Sequence, residues 1–82
     1  MKLLMFKSED CAACHQMERF LGDVCDKAKV SLMIADVITR TDLAIQYQVS
    51  SLPTLVLFEH GEPFKRLVGG LTENRFSAWL QH

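Results

Sequence analysis

Cys11 and Cys14, separated by Ala12 and Ala13, are the residues in this chain best suited to do chemistry. Two thiols at this spacing at the head of a helix can form and break a disulfide with almost no backbone motion. The pair directly follows an apolar, strand-like run from Lys2 to Lys7, a context that favours redox chemistry over metal binding. A zinc or iron–sulfur module using the pair with His15 would need four ligands, and this chain has no second Cys-x-x-Cys, so no metal and no cofactor are expected. Cys25 lies eleven residues beyond Cys14, about 16 Å further along a continuous helix. It cannot join the pair and reads as a small buried apolar residue.

The nucleophile in disulfide exchange is a thiolate, which unpaired backbone amides and the helix dipole stabilise at the first turn of a helix. Cys11 is therefore expected to attack, and Cys14, one turn further in on the apolar face, to resolve. Cys11 would open a substrate disulfide to give a mixed disulfide, and Cys14 would then release the reduced substrate and leave a Cys11–Cys14 bridge. His15, four residues after Cys11, and Asp10, just before it, are candidates for tuning this charge, with solvated surface as the plain alternative for His15.

The elements that must position the pair follow from periodicity. Leu3 to Lys7 reads as a strand, and Cys14, Met17, Leu21, Val24, Cys25 and Ala28 recur at helical spacing. Val30 to Val37, with its apolar run Leu32-Met33-Ile34, reads as a strand buried on both faces of a parallel sheet, which makes a right-handed βαβ unit. Thr41 or Asp42 can cap a short helix that ends before Ser50. Thr54 to Glu59 and Phe64 to Val68 form a hairpin about His60-Gly61, and Thr72 caps a last helix with Phe76, Trp79 and Leu80 on one face. Phe20, Phe58, Phe76 and Trp79 are read as core aromatics.

Composition sets bounds on the rest. Eighty-two residues, 49% of them apolar, suffice for one domain spanning residues 1–82. Nine Lys and Arg against ten Asp and Glu, scattered along the chain, give no footprint for nucleic acid or an anionic membrane. Leu3 to Phe6 is too short for a signal-peptide core or a spanning helix. An odd, low number of cysteines argues against a secreted disulfide scaffold, so a reducing, cytoplasmic setting is expected.

The order β-α-β-α-β-β-α, the Cys-x-x-Cys after the first strand and Leu52-Pro53-Thr54 before the third together resemble the thioredoxin family over essentially the whole chain. Ala44, Tyr47 and Val49, the run Leu55-Val56-Leu57-Phe58, and Val68-Gly69-Gly70 extend the likeness. The family's first strand and helix are missing, leaving a minimal α/β core of four mixed strands flanked by helices, closer in size to glutaredoxins. The resemblance implies a cis bond before Pro53 and a substrate groove formed by Ser51, Leu52, Pro53, Gly69 and Gly70. The Leu52 backbone would pair there with an extended segment of a disulfide-containing protein. It also implies a monomer reset by a thioredoxin reductase or by glutathione, the latter as a glutaredoxin-like alternative. A non-catalytic interaction module on the same fold is a third reading.

Two departures bear on mechanism. Met5 stands where the family usually has a buried Asp, and Leu32 where it often has a partner Lys. Water or a nearby titrating group must then deprotonate Cys14 during resolution. Ala12-Ala13 in place of Gly-Pro, with Asp10 before the pair, changes tuning and not reaction type.

Overall fold

The computed structural model describes residues 1–82 as β1 (Lys2–Lys7), α1 (Ala12–Ala28), β2 (Ser31–Asp36), α2 (Thr41–Gln46), β3 (Thr54–Glu59), β4 (Glu62–Val68) and α3 (Glu73–Gln81). The strands form one mixed sheet in the order β2-β1-β3-β4. β1 runs parallel to β2, with Met5 opposite Ile34, and antiparallel to β3, with Phe6 opposite Thr54. This is the expected minimal thioredoxin fold, a four-stranded mixed sheet flanked by helices.

Strand alternation divides the core between two faces. Leu3, Met5, Leu55 and Leu57 point to the face covered by α1 and α3, where they pack with Cys14, Met17, Leu21, Cys25, Phe76 and Leu80. Leu4, Phe6 and Val56 point to the other face, where Ala35 joins them and Leu43, Ala44 and Tyr47 of the α2 region pack from above. The buried stripe of α1 is the one its spacing predicts. The helix closes at Lys29, whose left-handed backbone (φ 59°) lets Val30 N–H reach Cys25 O at 2.9 Å. Thr72 caps α3 by accepting from Arg75 N–H, as expected.

Three sequence readings are corrected. β2 is an edge strand with only Ala35 buried, and Met33 and Ile34 are each 39% exposed, so it is not buried on both faces. Neither Thr41 nor Asp42 caps α2. The cap position falls to Arg40, which makes no side-chain cap bond, while Thr41 Oγ1 donates back to Val37 O and Ile38 O and Asp42 pairs with Arg40. β4 starts at Glu62, not Phe64. Pro63 is accommodated because β4 lies at an edge and its register shifts opposite Leu57 and Phe58. The hairpin turns through His60 (φ 56°) and Gly61 (φ 80°), the paired positive φ values of a type I′ turn.

Candidate redox site

β1 delivers the chain to the loop Ser8–Asp10, where Cys11 N–H bonds to Ser8 O at 3.2 Å. Cys11 is the N-cap residue of α1, with extended backbone (φ −91°, ψ 103°). Its Sγ takes the part a capping oxygen usually plays and accepts from Cys14 N–H at 3.1 Å. The same amide would stabilise a Cys11 thiolate in the reduced protein. Cys11 and Cys14 are joined as a disulfide with their Cα atoms 5.2 Å apart. Cys11 is half-buried at the rim, and Cys14 is fully buried in the α1 face of the core.

The register brings the other expected site residues to the same end of the sheet. β1 ends at Lys7, β3 begins at Thr54 opposite Phe6, and β4 ends at Val68 opposite Thr54. The Leu52–Pro53 bond is cis. Pro53 O accepts from Gly69 N–H at 2.9 Å, which ties the two loops together, and Thr54 Oγ1 donates to Ser51 O at 2.6 Å. Gly69 has φ 104°, a backbone that side chains rarely adopt. Gly70 sits against the motif itself, since a Cβ on it would lie 3.2 Å from the Ala13 Cβ. Leu52 and Cys11 pack against the same cluster, and the Leu52 N–H and C=O make no hydrogen bond within the chain. Beside the pair, a groove of about 670 Å³ runs between α1 and the segment after β4, lined by Ala13, Gln16, Phe20, Gly70, Leu71 and Thr72.

The interior beneath the disulfide is apolar. Met5 is fully buried, Leu32 packs on the same cluster, and Thr54 is the only buried polar residue of the chain. His15 is exposed, and its Nε2 donates to Glu9 O across 2.7 Å. Asp10 is exposed, with no ion pair. Cys25 is buried and free, and burial, reinforced by the Asp26 carboxylate, pushes its thiol up. Sequence reasoning missed the Ala13–Gly70 contact, which joins positions far apart in the chain.

The model for the thioredoxin-like domain matches residues 1–82. The chain belongs to this family. It is 36% identical over 69 residues to the thioredoxin of Mycobacterium tuberculosis, an alignment covering 82% of this chain and 60% of that protein. It is 35% identical over 69 residues to the bifunctional thioredoxin reductase/thioredoxin of Mycobacterium leprae, covering 82% of this chain and 15% of that one. Among solved structures, a mutant thioredoxin from Halobacterium salinarum superposes with a TM-score of 0.90 at 28% identity, over 98% of this chain and 71% of the other. The chain thus spans 60% or less of these two mycobacterial relatives. It is a thioredoxin-fold protein with a redox-capable cysteine pair.

Proposed function

We propose that the chain is a thiol–disulfide oxidoreductase that reduces protein disulfides, with Cys11 as nucleophile and Cys14 as resolving thiol. The observation that carries this reading is the asymmetry of the bridge. One sulfur lies at the rim as the helix N-cap, hydrogen-bonded to an amide, and its partner is sealed in the core. An incoming disulfide would meet Cys11 alone, and the trapped mixed disulfide would have Cys14 as its nearest competitor. The free backbone groups of Leu52 support a substrate held as a short added strand against the cis-Pro53 loop, with Ser51, Gly69 and Gly70 along its border. His15 and Asp10 are proposed as tuning residues, because both polar side chains lie within about one turn of Cys11.

A thioredoxin reductase is the proposed electron donor, supported by the relative that carries both names on one chain. Glutathione is the alternative donor, and coupled assays with each reductase separate the two. We further propose that the protein acts as a cytoplasmic monomer without cofactor. No helix is long and apolar enough to cross a membrane. The decisive test is insulin reduction by dithiothreitol. The chain is expected to accelerate it, and Cys11→Ser to return it to the uncatalysed rate. Equal acceleration by Cys11→Ser would overturn the assignment.

A further inference from the structure

Resolution requires Cys14 to lose its thiol proton, yet Cys14 is fully buried in a cluster made up, apart from Cys25, of apolar residues that cannot accept one. One buried side-chain oxygen in the molecule lacks a hydrogen-bond partner, Oε1 of Glu18. Glu18 follows Cys14 by four residues in α1, so it stands one turn below on the same side, with Cβ atoms about 5–6 Å apart. Helical side chains lean toward the N-terminus, so the side chain of Glu18 is directed toward the turn that holds Cys14 rather than away from it. Lys7 comes from β1 two residues after Met5, hence on the same face of the sheet, and its Nζ lies 3.3 Å from Oε1 without a well-directed hydrogen bond. Both side chains are partly buried. Of the two carboxylate oxygens only Oε1 is sealed, and the Glu18 side chain as a whole is 29% exposed, so water meets the carboxylate through Oε2.

We infer that Glu18 is the proton acceptor for Cys14, and that Lys7 is the positioning residue that holds the carboxylate beside the first turns of α1. This rests on the dithiol reading above. In the step, the Cys14 S–H proton passes to Glu18, directly or through one water. The Cys14 sulfur then bonds to the Cys11 sulfur, the Cys11–substrate S–S bond breaks, and the substrate leaves as a thiolate that takes a proton from solvent. Two electrons have moved from the Cys11–Cys14 dithiol to the substrate disulfide, and Glu18 returns its proton to water. Lys7 of β1 contacts the carboxylate; the titratable groups next to this pair by register and helix spacing are Asp36 of β2, opposite Lys7, and His15 and Arg19 of α1.

The test is stopped-flow reaction of the fully reduced protein with 5,5′-dithiobis(2-nitrobenzoate). One equivalent of thionitrobenzoate reports attack by Cys11, and a second reports resolution by Cys14. Glu18→Gln is expected to leave the first phase unchanged and slow the second about a hundredfold at pH 7, with the gap closing as rising pH ionises Cys14 without help. Glu18→Asp is expected to recover part of the rate. Lys7→Met, which keeps the carboxylate but removes the group that holds it, is expected to leave the first phase unchanged and to slow the second by less than Glu18→Gln does. A second phase in Glu18→Gln equal to the parent's at every pH overturns the assignment, as does a Lys7→Met profile identical to the parent's if the Gln variant does not fold. Absence of a second equivalent from the parent itself overturns instead the dithiol reading on which it rests.

Discussion

The two faces of the sheet are finished to different degrees. On the α1/α3 face, two helices seal a twelve-residue buried cluster, Phe20 and Trp79 flank Phe76, and Lys65 clamps β4 to α3 by bonding to Trp79 O with its Nζ 4.8 Å from the Trp79 ring. On the other face only four residues are buried, the six-residue α2 has no buried residue, and a groove of about 540 Å³ stays open between Leu4, Met33, Leu43, Tyr47 and Phe58. The disulfide belongs to the first face. The resolving role proposed for Cys14 asks for a thiol kept dry and fixed relative to its partner, and the thicker face supplies both. The difference teaches that stability and chemistry are concentrated on the same side of this sheet.

That contrast can be broken by truncating each side. Phe76→Ala, in the centre of the sealed face, is expected to cost about 4 kcal/mol in denaturant unfolding and to blunt cooperativity. Tyr47→Ala on the open face removes edge contacts to Phe6 and Phe58 and is expected to cost about 2 kcal/mol. Equal losses would erase the distinction between the faces. The alkaline limb of stability sharpens it further. The Cys25 thiol is pushed up by burial, so above its ordinary value near 9.0 the unfolded chain ionises first. Its stabilising contribution is whole below that value and fades as pH rises through the folded value. Melting curves of Cys25→Ala are expected to fall less steeply above pH 9 than those of the parent. The smallest effect is expected at the exposed Arg40–Asp42 pair, where the Arg40 hydrogen bond holds the Asp42 carboxyl below its usual range. Its contribution is present above the ordinary carboxylate value and lost as pH falls through the lowered one. Asp42→Asn should shift the melting temperature only slightly at neutral pH and low salt, and not at all in high salt.

Most of the sealed face was legible in the sequence. The stripe from Cys14 to Cys25, the Thr72 cap and the turn at His60-Gly61 are local patterns, and each appears where spacing or turn chemistry puts it. The open face was read less well. The run Leu32-Met33-Ile34 records hydrophobicity but not the number of neighbouring strands, so an edge strand passed for a central one. Asp42 has a capping residue's chemistry but is held by Arg40, two residues away. At the site, the positions of Cys11 and Cys14 and the cis bond before Pro53 were anticipated. The Glu18–Lys7 meeting was not, although the four-residue step from Cys14 to Glu18 was available as a signal. Its other half comes from a strand eleven residues earlier, and spacing along one helix carries no information about that.

The hairpin reversal offers a practical consequence. His60-Gly61 lies at the opposite end of β3 from Pro53, six strand residues or about 20 Å away. A fluorophore or purification tag grafted there would ride on the molecule without touching the cysteine pair, and so provides a handle for immobilising the protein with its Cys11 rim facing outward.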